Sequence, residues 1–180
     1  MPQKTKWKII SHKTVVKNRW TEIFDDQVVN PGGGNGSYIY AKRPDSALII
    51  AQEQDKSIYL VKEYKYAIKE QLTKVPTGAI ENGLSPWETA KKELFEETGL
   101  KAKKWKLLGE NYLAPGFVTT KQYIFLATDL DKSQLGDHSE GDEEIIDIIK
   151  ISTLKLKKMI IDSRIKDSST LAALNLYFLS

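Results

Sequence analysis

The chain has 180 residues, a formal net charge of +3, 41% apolar and 28% charged residues, and no cysteine. That length allows one domain with a substantial core, and the composition is that of an ordinary globular protein. Disulfides and thiolate metal sites are excluded, no apolar run nears the roughly 20 residues that span a bilayer, and the lysines are scattered rather than gathered into a basic stripe, which argues against a nucleic-acid partner.

The basic N-terminus, MPQKTKWKII, lacks the apolar segment and small-residue cleavage site of a secretory leader. With the missing cysteines this gives a cytoplasmic expectation. The first 75 or so residues read as β-structure: WKIIS, RWTEIFDDQVV, SYIYAKR, SALIIAQ and SIYLVKEYKY are β-branched and aromatic runs divided by turn signals. The glycine-rich stretch Asn30–Gly36 is followed by neither Gly-Lys-Ser/Thr nor a helix, so it reads as a hairpin turn rather than a phosphate cradle. Trp20 and Phe24 read first as hairpin or core packing and second as base-stacking rings, and His12 and His138 have no partner at ligand spacing.

Ser85-Pro86-Trp87-Glu88 is a strong helix start, with Ser85 as cap, Pro86 at the first helical position and Glu88 completing a capping box. Gly99 suits the left-handed end, so a helix is predicted from about Pro86 to Thr98 with Trp87, Ala90 and Leu94 facing the core. Strands follow at WKLLGENYLA and QYIFLATDL, then an acidic loop over residues 136–144, a strand IIDIIKI, a helix from about Ser152 to Asp162, and a last helix from near Asp167-Ser168 with Leu171, Leu174 and Phe178 in one stripe. Strands on both sides of one helix, with two helices after them, indicate an α+β fold.

The 86–98 helix places Glu93, Glu96 and Glu97 close together, since residues three and four apart share a face. Like charges at that spacing cost a bare helix a few tenths of a kcal/mol per pair. Either lysines, such as Lys91 and Lys92, or bound cations must offset them. Carboxylate oxygens suit a hard cation such as Mg²⁺, which shares its coordination with substrate phosphates.

Residues 78–100, GAIENGLSPWETAKKELFEETGL, resemble the Nudix box, G-x5-E-x7-R-E-U-x-E-E-x-G-U, in which U is a bulky aliphatic residue. Gly78, Glu93, Leu94, Glu96, Glu97, Gly99 and Leu100 fall on its defined positions without a gap, whereas Leu84 replaces a Glu and Lys92 an Arg. Val75-Pro76-Thr77-Gly78, Ala114-Pro115-Gly116-Phe117 and the closing segment 165–174 are similar to the ADP-ribose pyrophosphatase branch. Lys74 and Thr120 depart from that branch, which commonly has acidic residues there.

The resemblance implies a Nudix fold, a mixed β-sheet between helices with an N-terminal β-rich subdomain. Residues 1–42 would form that segment, at a dimer interface, and 43–180 the hydrolase domain. It implies a metal site of Glu93, Glu96, Glu97 and the Thr77 carbonyl, filled by Mg²⁺ with Mn²⁺ as substitute. Substrate contacts fall to Lys65, Gly78, Lys92, Pro115 and Gly116, and the catalytic set to Glu96 with a general base in the acidic loop, Glu144 or Glu143. The implied reaction is hydrolysis of the pyrophosphate bond of a nucleoside diphosphate linked to a sugar, first of all ADP-ribose, by a homodimer with no nucleic-acid or membrane partner. The alternative is a degenerate Nudix domain that binds a nucleotide or a protein without turnover. Leu84, Lys92, Lys74 and Thr120 favour the alternative, and the three retained helix glutamates favour the enzyme.

Overall fold

The computed structural model describes residues 7–138 and 145–180. The chain divides into two compact units, Met1–Asp45 with Tyr112–Lys121, and Ser46–Asn111 with Gln122–Ser180.

The first unit is built on a hairpin of β3 (Glu22–Val29) and β4 (Asn35–Lys42), in register from Glu22↔Lys42 to Val29↔Asn35. Its turn is the glycine-rich stretch. Asn30 Oδ1 accepts from the Gly32 and Gly34 amides at 2.8 and 3.2 Å, and Gly33 takes φ 89°, which favours glycine. Two short strands, β1 (Lys8–Ser11) and β2 (Thr14–Lys17), pair antiparallel with β3. The second of these, TVVK, did not stand out in the sequence, because four residues carry too little alternation. Phe24, Asp26 and Val28 are buried at every second position of β3. The Phe24 ring lies 4.4 Å from His12 and 5.1 Å from Tyr40, so it packs inside this unit rather than waiting for a base. Trp20 is exposed, with the Arg19 guanidinium 4.4 Å above it. Residues 112–121 join the unit through Ala41, whose amide donates to Phe117 O at 2.7 Å and whose carbonyl accepts from Thr119 at 3.1 Å.

The second unit holds a mixed sheet of β5 (Ser46–Gln52), β6 (Ile58–Lys65), β7 (Glu70–Lys74), β8 (Thr77–Ala79), β9 (Lys101–Tyr112), β10 (Lys121–Asp131) and β11 (Ile145–Ile151). The order is β11-β6-β5-β10-β9, with β7 on β6 and β8 on β5, and the β5–β10 pair is parallel. β5 explains the layering. Leu48 and Ile50 join one core with Leu156, Met159, Ala173 and Leu174, from α2 (Thr153–Ile161) and α3 (Ser168–Leu179). Ala47, Ile49 and Ala51 join the other with Ala90 and Leu94 of α1 (Pro86–Thr98). A strand covered on both faces reads as a continuous apolar run, and SALIIAQ is one. The sheet between helices and the α+β class are those expected.

α1 begins and ends where the sequence places it. Ser85 and Glu88 form the reciprocal capping box, and Gly99 closes the helix at φ 67° with its amide bonded to Phe95 O. The expectation that Trp87 faces the core is overturned, since its side chain is exposed beneath Lys91 Nζ, 4.1 Å from the ring centroid. The buried face of α1 is instead Thr89-Ala90, Glu93-Leu94 and Glu97-Thr98, a stripe at four-residue intervals that leaves the bulky ring of the first turn outside. Asp167 and Ser152 cap α3 and α2. His138 stacks on Phe95 at 4.9 Å, and His12 Nδ1 lies 2.6 Å from Asp26 Oδ1.

Candidate active site

Two glutamates of the apolar-packed helix, Glu93 and Glu97, are buried with it, and Glu96 beside them is part-buried. Burying a carboxylate is costly without partners, so the neighbours define the site. β8 brings the first of them, because its pairing with β5 (Leu48↔Thr77, Ala47↔Gly78) holds Thr77 and Gly78 against α1. The Thr77 amide donates to Glu97 Oε2 at 3.2 Å. Gly78 makes room for Glu93, since a Cβ on it would lie 1.9 Å from Glu93 Cδ.

β7 brings the second. Lys74, its last residue, is buried and donates to Glu97 Oε1 at 3.0 Å and to Glu63 Oε2 on β6. Glu63 Oε1 accepts from Lys65 in turn. Burial alone pushes the Lys74 ammonium down, but the Glu97 and Glu63 charges outweigh it and hold its pKa above the ordinary lysine value. Burial likewise pushes the Glu63 carboxyl up, and Lys74 and Lys65 together bring it below the usual range. Removing one member of such a buried set strands the rest, at about 3–5 kcal/mol.

On the open side of α1, Lys92 bridges Glu81 at 2.9 Å and Glu96 at 3.3 Å. Its pKa is raised, first by the hydrogen bond to Glu81 and then, against some burial, by Glu96. Lysines therefore do offset two of the helix glutamates, Lys74 at Glu97 and Lys92 at Glu96.

The structure thus gathers Thr77, Gly78, Glu93, Glu96, Glu97 and Lys92 along α1, and Lys65 joins Lys74 on Glu63. Pro115 and Gly116 belong to the first unit. Pro115 helps to line a hollow of about 530 Å³ there with Trp7, Tyr38, Tyr40 and Phe117, and Tyr38 Oη donates to Gly116 O at 3.0 Å. Glu143 and Glu144 lie outside the described residues. Sequence reasoning missed the part played by Lys74 and Glu63. Val61↔Lys74 and Glu63↔Leu72 are register pairs, so Lys74 and Glu63 sit diagonally across β6 and β7, where opposite charges meet. That signal exists only once the register is known.

The residues fit a hard divalent cation in kind. Their donors are carboxylate and carbonyl oxygens, and the Glu93 carboxylate rests in a cradle that a single methyl group would fill. Among the described residues no three His, Cys, Asp or Glu side chains form a ready-made cage. Mg²⁺ is usually bound by one or two carboxylates and completed by substrate phosphates and water.

Among known proteins, the chain is 27% identical over 168 residues to an ADP-ribose pyrophosphatase of Bacillus subtilis (strain 168), covering 93% of this chain and 90% of that one. It is 32% identical over 122 residues to an ADP-ribose pyrophosphatase of Mycobacterium tuberculosis, covering 67% and 59%. It is 26% identical over 166 residues to a methanol dehydrogenase activator of Bacillus methanolicus, covering 92% and 89%. A crystal structure of an ADP compounds hydrolase shares the fold, with a TM-score of 0.85 at 22% identity over 98% of this chain and 95% of that one. A family model described as the NUDIX domain matches residues 42–166, the span that carries Gly78, Glu93, Glu96 and Glu97. The chain belongs to the Nudix family.

Proposed function

We propose that the protein hydrolyses the pyrophosphate bond of a nucleoside diphosphate linked to a sugar, with ADP-ribose as first substrate and AMP and ribose 5-phosphate as products. The observation that carries this reading is the Glu93 carboxylate seated on Gly78, with Glu96 on the next turn of the same capped helix. The names of the two pyrophosphatase relatives support the substrate class.

Glu93, Glu96 and the Thr77 carbonyl would hold Mg²⁺, or Mn²⁺ in its place, beside Glu97, which is bonded to Lys74 and the Thr77 N–H. When bound, the ion neutralises the diphosphate and acidifies an attacking water. Water adds at one phosphorus, one P–O bond of the bridge breaks, and the departing phosphate takes the bridging oxygen. Lys92 holds Glu96 and the 81–84 loop in place through its two ion pairs. Lys65, half-exposed beside Glu63, would offer its charge to phosphate oxygens. The proton of the water goes to a carboxylate of the acidic loop, Glu144 or Glu143 by the family resemblance. No helix among the described residues is long and apolar enough to cross a membrane, and a cytoplasmic setting fits the lack of cysteine.

A panel of nucleoside diphosphate derivatives incubated with Mg²⁺ or Mn²⁺, with products resolved by chromatography, tests the reading. AMP and ribose 5-phosphate are the expected products from ADP-ribose, and no product from any member of the panel overturns it. One observation favours the second reading, binding without turnover: the Lys74 ammonium already occupies a Glu97 oxygen. Nucleotide binding by calorimetry with no product in the panel would select it.

A further inference from the structure

The second unit contains a buried cation of its own. Lys74 Nζ lies 3.0 Å from Glu97 Oε1 and bonds Glu63 Oε2, while all three side chains are almost wholly out of water, at 6%, 0% and 7% exposure. We infer that the Lys74 ammonium stands in for a divalent cation on Glu97, so that this chain holds its exchangeable metal on Glu93 and Glu96, with a latent divalent site between Glu63 and Glu97 that the lysine keeps filled. The inference rests on the hydrolase reading only for which carboxylates meet metal, and its test reads metal rather than turnover.

The chemistry of the two occupants is alike in what they satisfy and unlike in how they leave. An ammonium offers three donors to carboxylate oxygens and sits about 2.7–2.9 Å away. A divalent ion takes the same lone pairs from about 2.0–2.6 Å and exchanges with solution. Here the tether fixes the occupant. Lys74 ends β7, whose ladder to β6 pairs Val61 with Lys74, so backbone pairing carries the ammonium to the carboxylates in every folded molecule. Metal cannot displace it cheaply, because the freed ammonium must find water from a buried position. The other Glu97 oxygen is also engaged, by the Thr77 amide at 3.2 Å. The Glu93 carboxylate lies against Gly78. Counted as charge, Glu63 and Glu97 against Lys74 leave one net negative, and Lys65 on Glu63 brings the set to zero. A neutral buried set presents no excess charge to draw a second ion. Remove the ammonium, and two buried carboxylates within one Nζ-sized gap become a divalent site.

The full chain, free of nucleotide, is titrated with Mn²⁺ and the unbound ion is read by electron paramagnetic resonance, in parallel with thermal unfolding. In the native background Glu97→Gln is expected to leave the Mn²⁺ equivalents and their affinity within about twofold, and Glu93→Gln to weaken binding at least about tenfold, which is about 1.4 kcal/mol. Lys74→Gln is expected to gain one equivalent of Mn²⁺ per chain, to unfold at a higher temperature with Mn²⁺ than without, and to lose both effects in Lys74→Gln/Glu97→Gln. Equal losses of Mn²⁺ in Glu97→Gln and Glu93→Gln overturn the inference, as does a folded Lys74→Gln with no added equivalent. If Lys74→Gln does not fold even with Mn²⁺, the paired Glu97→Gln and Glu93→Gln titrations decide alone. A chain that gives these metal results yet cleaves nothing in the nucleotide panel sinks the hydrolase reading and leaves the inference standing.

Discussion

Gly78 and Glu93 meet so closely that the space of one methyl group separates a cradled carboxylate from a displaced one: a Cβ at Gly78 would stand 1.9 Å from Glu93 Cδ and 2.1 Å from its Oε1. The clash is with the far end of a side chain, not with backbone, so the fold can yield where the site cannot. Gly78→Ala is therefore expected to keep its thermal midpoint within a few degrees, the span of a sub-kcal/mol change. Its Mn²⁺ affinity should fall at least about tenfold. Circular dichroism and Mn²⁺ titration of one preparation check both halves, and unchanged affinity would remove Glu93 from the metal set.

The two ends of α1 should answer to different chemistry. At the start, Ser85 Oγ accepts from the Glu88 amide at 3.2 Å while Glu88 Oε2 accepts from the Ser85 amide at 2.8 Å. Ser85→Ala should cost about 1 kcal/mol. At the end, Gly99 sits at φ 67°, and a Cβ there would meet Gln134 O at 1.7 Å. Gly99→Ala pays the left-handed strain of about 1–2 kcal/mol and must also move backbone, so it should destabilise more than Ser85→Ala. Urea midpoints order the two variants.

Lys92 serves two carboxylates from one ammonium, Glu81 at 2.9 Å and Glu96 at 3.3 Å. An arginine offers a planar fork of five donors to the same pair. Lys92→Arg is expected to raise kcat on ADP-ribose severalfold with the fold unchanged, by holding Glu96 more firmly. An equal or lower kcat in a steady-state assay would mean that the lysine already suffices.

The β5–β6 turn gives an acid-sensitive element remote from α1. The Ser57 amide at 2.9 Å and then Lys150 at 3.0 Å hold the Asp55 carboxyl down at about 2, against an ordinary 3.8. Lys132, followed by Tyr59, lowers Glu53 in the same turn despite its burial. A folded-state pKa below the unfolded one means that the unfolded chain binds protons first as pH falls. The stabilisation from Asp55 is thus present above its ordinary 3.8 and is lost as pH falls through about 2. Native protein and Asp55→Asn should differ in urea midpoint at pH 7 and converge near the lower limit. A difference independent of pH would assign the effect to the turn's geometry instead.

In the first unit Ile9, Ile10, Val15, Val16 and Ile39 are 48–65% exposed on β1, β2 and β4. An apolar strand surface of that kind is a liability unless it is covered. A homodimer through this sheet is expected, burying about 2,000 Å² or more if obligate. Light scattering at micromolar concentration should give twice the chain mass, and Ile9→Lys/Val16→Lys should give the single mass. A monomer in the native protein rules the dimer out.

Much of this protein was legible along the chain. α1 was bounded at both ends because its signals are local: a capping serine, a proline at the first position, and a glycine that alone accepts the closing dihedral cheaply. The glutamates shared a face because helical spacing requires it, and the SALIIAQ run announced a strand. What the chain could not show depends on residues far apart in sequence. Trp87 has the spacing of a core residue, yet whether a first-turn ring finds anything to pack on depends on where the sheet ends. The parallel pairing of β5 with β10, and the joining of residues 112–121 to the N-terminal sheet, rest on contacts that no local propensity encodes. Lys74 is the sharpest case. In the sequence it is a lysine where relatives of its branch carry an acid, a sign of lost function. Only the β6–β7 register and the packing of α1 turn it into the partner of Glu63 and Glu97, because a buried charge is defined by what surrounds it and not by its neighbours along the chain.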